Sequence, residues 1–276
     1  LKKILVVLDA SEIGQATQQY AIDLAKQFST PLTGLAILDT PWITASQPEP
    51  LGGASFKMVR DDVLIEKSHA HLKEQMDLFK NRCAREKVNS IVLEASGFPE
   101  TEIERLSYEH DLIVIGRTTD FHFELDDDSD LTVKHVVRDN PRPIITIPGK
   151  SSLGNKVLVA YDGSLQTARA LHMFLLLGLG IDKELSILTI SPTKEQAEEI
   201  GKKAKSISEL YGAQVRLISV ASDEKPEEII LKESQNNDYS LIVMGAFHKT
   251  IITEALFGSC TRNIMKRSNL PLFIHH

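Results

Sequence analysis

Lys3-Ile4-Leu5-Val6-Val7-Leu8-Asp9-Ala10-Ser11 returns in the second half of the chain as Lys156-Val157-Leu158-Val159-Ala160-Tyr161-Asp162-Gly163-Ser164. Each is a short apolar run closed by aspartate and serine, the composition of a strand buried on both faces. Two further pairs follow in the same order. Asp111-Leu112-Ile113-Val114-Ile115-Gly116 matches Tyr239-Ser240-Leu241-Ile242-Val243-Met244-Gly245, and Pro141-Arg142-Pro143-Ile144-Ile145-Thr146-Ile147 matches Asn269-Leu270-Pro271-Leu272-Phe273-Ile274. Buried parallel strands converge on Val/Ile-rich sequence, so one match would mean little. Three in register identify an internal duplication.

The rest of each copy alternates between helical and strand patterns. Ala16, Tyr20, Leu24 and Phe28 recur every four residues, and Ala168, Leu171 and Leu175 are spaced likewise, as the buried faces of helices. A second strand (Leu32 to Leu38; Leu185 to Ile190) leads to a longer helix, marked by Leu72, Met76, Phe79 and Cys83 and again by Ile200, Ala204, Ile207 and Tyr211. Cys83 is therefore expected in the core. A third strand (Ser90 to Leu93; Gln214 to Val220), a short helix opening near Pro99 or Pro226, a fourth strand ending in glycine, a last helix and a fifth strand complete the unit. Such alternation predicts an α/β chain of two tandem, doubly wound, Rossmann-like parallel sheets. The small, polar stretch from Pro148 to Gly154 reads as the linker, giving domains 1–150 and 151–276. The copies differ after the second strand, where Thr40 to Asp61 carries the only tryptophan, Trp42, with several prolines and glycines. A lid over the first domain and a surface insertion both fit a loop of that length.

Composition narrows the partners. With 276 residues, 42% apolar and 25% charged, each half has material for a core. A net charge of −7 argues against nucleic acid or anionic membrane as the main partner and points to a small-molecule ligand or a protein. No membrane span or signal pattern is visible, and the two cysteines, Cys83 and Cys260, sit in no disulfide or metal-ligand spacing; a cytoplasmic location is expected.

Ligands of doubly wound sheets bind beyond the carboxyl ends of the strands, where strand order reverses. Asp9 and Asp162 end first strands, and Gly116 and Gly245 end fourth strands. In the second copy, Gly245-Ala246-Phe247-His248 is followed by nine residues and then Gly258-Ser259-Cys260-Thr261, opening a helix. Glycine permits close backbone approach, and a helix N-terminus with free N–H groups favours negative charge.

A fourth-strand glycine, two residues, a second motif position, nine residues and then Gly-Ser resembles the ATP-binding loop of universal stress proteins, and the resemblance covers nearly the whole chain twice. It implies the strand order 3-2-1-4-5, pairing of the copies through their fifth strands as an intrachain pseudo-dimer, and further pairing into a homodimer as an option. It also implies ATP or AMP in the second domain, lined by Asp162, Ile190, Gly245, His248, Gly258, Ser259, Cys260 and Thr261. His248 stands where the family has its second glycine; its imidazole either excludes the phosphates or donates to one. The first copy departs further. Thr119 holds that glycine position, Ser129-Asp130 replaces Gly-Ser, and Glu124, Asp126, Asp127, Asp128 and Asp130 crowd carboxylates where a γ-phosphate would lie, so no nucleotide is expected there.

No catalytic constellation stands out, and the chain reads as a stress-response binding protein rather than an enzyme. Gly149-Lys150-Ser151 lacks the upstream glycine of a phosphate loop, and the acidic run lacks the alternation of a calcium loop. Cys260 could be activated by a helix N-terminus, but no motif supplies a base, so it reads as a small residue filling the binding loop. His69, His71, His110, His122 and His135 read as exposed or capping residues, and His275 and His276 carry no assignment. Two rival readings remain: a magnesium-dependent nucleotide hydrolase using Asp162, and a scaffold or binder of an apolar, non-nucleotide small molecule.

Overall fold

The computed structural model describes residues 1–45, 54–119, 121, 130–246 and 259–276. The first half runs β1 (Ile4–Val7), α1 (Glu12–Phe28), β2 (Leu32–Leu38), α2 (Thr40–Ile43), α3 (Ala54–Arg85), β3 (Ser90–Ser96), α4 (Pro99–Ser107), β4 (Leu112–Gly116), α5 (Asp130–Asp139) and β5 (Ile144–Ile147). The second half repeats it as β6 (Lys156–Ala160), α6 (Leu165–Leu176), β7 (Glu184–Ser191), α7 (Lys194–Leu210), β8 (Gln214–Ala221), α8 (Pro226–Asn236), β9 (Leu241–Gly245), α9 (Ser259–Arg267) and β10 (Leu272–His275).

Local chemistry sets the element boundaries. Ser11 and Ser164 are N-caps whose hydroxyls accept from the backbone N–H groups of Gly14 and Thr167, at 2.9 and 3.3 Å. Pro99 and Pro226 open α4 and α8, where a missing N–H is harmless. The central strands are buried on both faces. One core gathers Ile4, Val6 and Leu8 with α1, α3, α6 and α7; the other gathers Leu5 and Val7 with α4, α5, α8 and α9.

Within each half the sheet is parallel with order 3-2-1-4-5, as expected. The pairing of the two copies that the resemblance implies is present as well. The halves join through β5 and β10, antiparallel, with Leu272 opposite Thr146 and Ile274 opposite Ile144, into one ten-stranded sheet. Each half thereby covers an edge the other would leave open. Phe174 packs edge to face on Phe273 at this seam, with centroids 5.3 Å apart.

Three expectations need correction or sharpening. The segment from Thr40 is not simply loop: α2 carries Trp42, which packs partly buried against the core, and α3 begins at Ala54. Only 46–53 of that insertion lies outside the described residues, so the tryptophan belongs to the fold rather than to a lid. Of the two readings of His110, exposed or capping, the second holds: the residue is buried, its Nδ1 2.7 Å from the Leu106 carbonyl in the last turn of α4 and its Nε2 2.9 Å from Thr33 Oγ1. The third strand of the first half runs three residues beyond Leu93, paired with β2 throughout. Cys83 is fully buried, as its helical spacing requires. Among the described residues, no helix is long and apolar enough to cross a membrane.

Candidate functional site

A cavity of about 210 Å³ opens at the carboxyl ends of β6, β7 and β9, where strand order reverses in the second half. Ala160, Leu188, Ile190, Ile230, Met244 and Ala246 give it an apolar floor, and Asp162, Ser164, Gln166 and Thr167 give it a polar side. Gly163, at φ +78°, turns the chain from the end of β6 into the cap of α6, a conformation glycine adopts without strain. Gly245 is required by close approach: a Cβ there would lie 2.6 Å from the Gln166 carbonyl carbon and 2.7 Å from the Thr167 nitrogen, in the backbone of the first turn of α6.

The charge in this cavity is fixed. Asp162 Oδ1 accepts from the Ser164 N–H and the Thr167 hydroxyl, both at 2.8 Å. Burial pushes this carboxyl up, but the donors from Ser164 and Thr167 outweigh it and hold the group below the usual carboxylate range, so it stays ionised. Cys260 and Thr261, in the first turn of α9, form the facing wall. The Cys260 thiol is pushed up to about 12, chiefly by burial and further by the negative charges of Glu227 and Asp162. It therefore remains a protonated thiol at neutral pH, and the activation a helix N-terminus can give is overridden. Glu227 is itself buried, accepting from Asn263 Nδ2 at 2.9 Å.

Five of the eight residues singled out in the sequence, Asp162, Ile190, Gly245, Cys260 and Thr261, thus share one cavity. Ser259 opens α9, but its side chain lies outside the described residues, as do His248 and Gly258. Sequence reading missed Thr167 and Gln166. Their signal was positional: residues four and five after a strand-ending aspartate fall in the first turn of the next helix, which faces the strand ends.

The corresponding place in the first half is packed shut on its α1 side. Gly14 occupies the position of Thr167, and a Cβ there would lie 2.3 Å from the Asp9 carbonyl oxygen. With no side chain to hold it off, α1 lies directly on the end of β1, and Asp9 is buried at 3% exposure, accepting from the Ser11 N–H at 2.6 Å. Over Gly116, where the second half has its cavity, Thr119, Ile13 and Thr17 crowd in at 2.9 to 3.3 Å from a notional Cβ. Thr119 donates to the Gly116 carbonyl at 2.8 Å, and Phe121 is buried beyond it. The acidic positions Glu124 and Asp126 to Asp128, and His122, lie outside the described residues, and of Asp130 only the backbone, at the start of α5, is described.

Other candidates resolve into structure. His69 lies 2.8 Å from Glu94 on the surface, and His71 is exposed. Burial pushes the Cys83 thiol up. Among the described residues no group of three or more His, Cys, Asp or Glu side chains could hold a metal ion.

Comparison with known proteins adds the lineage. Residues 1–122 and 154–276 each match the model of the universal stress protein family. A universal stress protein of Synechocystis sp. is 24% identical over 283 residues, covering 99% of this chain and 99% of its own. The crystal structure of a universal stress protein from Archaeoglobus fulgidus superposes with a TM-score of 0.67 at 21% identity, covering 99% of this chain and 97% of its own, and so shares the fold of both halves. A universal stress protein solved in complex with cAMP aligns with 45% of this chain and 98% of its own at 24% identity and a TM-score of 0.40.

Proposed function

The chain belongs to the universal stress protein family, and from that premise we propose that its second half binds an adenine nucleotide, ATP or AMP, without turning it over. The observation that carries this reading is the convergence of Asp162, Ile190, Gly245, Cys260 and Thr261 on one cavity at the strand ends. Its apolar floor suits the face of a flat base. The ionised Asp162, held by Ser164 and Thr167, suits a ligand that presents N–H or O–H donors. The N-terminus of α9 is the positive end of a helix dipole, which favours an anion. The protein acts by occupancy rather than chemistry: the thiol beside the ligand is protonated, and Asp162 is engaged by its own helix, which leaves neither as an evident nucleophile or base.

Calorimetric titration of the whole chain with ATP and AMP tests this. Binding is expected in the micromolar to millimolar range, lost in Gly258→Asp and weakened in Asp162→Asn, with the nucleotide recovered unchanged after hours with magnesium. No heat at millimolar nucleotide ends the reading, and product that disappears in Asp162→Asn replaces it with a hydrolase. The predominance of apolar side chains on the cavity floor favours a second reading, a non-nucleotide apolar ligand. Native mass spectrometry of freshly purified protein, showing a bound mass that is not a nucleotide, would select it.

A further inference from the structure

One cation of the first half is buried in the second. Arg117 follows Gly116 directly, is 8% exposed, and reaches across the seam. Its Nη1 donates to the Ser268 carbonyl and its Nη2 to the Leu270 carbonyl, the latter at 2.9 Å. Its Nε is also buried and, among the described residues, has no hydrogen-bond partner. Among the described residues no carboxylate pairs with it, and burial alone pulls the guanidinium down to about 10. A cation taken out of water is costly to keep, so what it touches matters.

It touches the end of α9. Ser268 N–H makes the last helical bond, to Ile264 at 2.9 Å, so the Ser268 carbonyl belongs to the unpaired C-terminal end of that helix, where the helix dipole is negative. The other end of α9 is Cys260 and Thr261, the wall of the cavity. A nine-residue helix is a rod of about 13 Å, so a clamp on one end sets the other. Its own half holds α9 from the side, through Asn263 to Glu227 and Arg267 to Glu228 on α8. The clamp runs one way only: at the place of Arg117 the second half has Ala246, which has nothing to reach back with.

We infer that Arg117 is a positioning residue through which the first half, by the loop after its fourth strand, sets α9 and with it the wall of the cavity in the second half. The consequence for ligand affinity rests on the nucleotide reading; the positioning itself does not. The two cysteines report it without ligand. Cys260 sits at the cavity end of α9, and Cys83, fully buried in the first half, is an internal control.

The experiment is native-state modification of the whole chain by an aromatic disulfide reagent, with both sites followed by mass spectrometry, in wild type, Arg117→Met and Arg117→Lys. In Arg117→Met the Cys260 rate is expected to rise roughly tenfold, the scale of one lost charge-assisted hydrogen bond, while Cys83 stays unchanged. Arg117→Lys, which keeps the cation and one donor, should restore part of the protection. It also carries the test should Arg117→Met fail to fold, with a rise of roughly threefold for one of two bonds lost. Equal acceleration at both cysteines, or none at Cys260, overturns the inference. If wild type binds nucleotide, affinity in Arg117→Met should fall by a similar factor. If wild type binds none, the function fails while the thiol result still decides the role of Arg117.

Discussion

The two strand-end regions of this molecule share a backbone plan and differ in what fills it. Both have an aspartate at the end of the first strand, a serine cap two residues later and a glycine at the end of the fourth strand. In the first half Gly14 lets α1 collapse onto Asp9, and Thr119, Ile13 and Thr17 fill the space over Gly116. In the second half Thr167 turns its hydroxyl to an exposed Asp162, Gly163 adopts a positive φ that Ala10 does not, and a cavity results. A duplicated fold therefore keeps its strands and caps while a few positions in the first turns of its helices change how each helix meets the strand ends. What the first half retains at that place is a route into the second, through Arg117.

The largest effect should come from imposing the second half's residue on the first. Gly14→Thr puts a Cβ 2.3 Å from the Asp9 carbonyl, a contact that only movement of α1 can relieve, and should cost about 3 kcal/mol or more. Chemical denaturation followed by circular dichroism measures it. The reverse change, Thr167→Gly, removes a hydroxyl bonded to Asp162 and weakens the start of α6, and should cost only about 1 kcal/mol. If the two cost the same, packing of the first helical turn is not what separates the halves.

A smaller difference is expected at the fourth-strand glycines. In Gly245→Ala the new methyl meets backbone atoms of α6 at 2.6 and 2.7 Å, which cannot rotate away, and stability should fall by about 2 kcal/mol with the cavity distorted. In Gly116→Ala it meets the ends of Thr119, Ile13 and Thr17 at 2.9 Å and beyond. Side chains can yield, so a loss nearer 1 kcal/mol is expected. Equal losses in melts of the two variants would mean that α6 and α1 give way alike.

These contrasts explain how far the sequence could be read. The duplication was legible because apolar runs and their order carry it, while the strand order and the joining of fifth strands came from the resemblance to universal stress proteins. The cavity was legible at Asp162, Ile190, Gly245, Cys260 and Thr261, which lie at strand ends or follow a loop of known spacing. Thr167 and Gly14 were not, because their meaning depends on the distance between a helix and a strand rather than on any local pattern. Arg117 was illegible for a stronger reason: its partners, the carbonyls of Ser268 and Leu270, are backbone atoms that no side-chain identity announces. His110 was legible as a residue capping α4, but only the packing of α4 on β2 reveals that it is enclosed.

That histidine supplies the mildest way to tell the halves apart. Burial lowers the proton affinity of His110, with the charge of Lys3 acting in the same direction and the Leu106 carbonyl, Glu109 and Asp111 opposing. Its folded value therefore lies below the unfolded value of about 6.5. Above that value the imidazole is neutral in both states, and the ring's contribution is whole. As pH falls below it the unfolded chain takes up the proton first, so stability declines towards the folded value with a slope approaching about one proton. At this place in the second half stands Tyr239, so of the two fourth-strand bases only the first carries such a histidine; the second half has its own partly buried histidine at the far end of β10, His275, pushed down to about 4 chiefly by burial. Replacing it by an uncharged residue of similar size, His110→Gln, should lower stability at pH 7, where the ring bridges Leu106 and Thr33, yet flatten the decline between pH 7 and 5. Hydrogen exchange across that range should show a loosening of β4 and α4 in the wild type that His110→Gln removes and that α8 does not share. Loosening of α8 in the same range that His110→Gln also removes would show that the seam between β5 and β10 couples the halves into a single cooperative unit, and the functional asymmetry would then rest on a fold that is thermodynamically one.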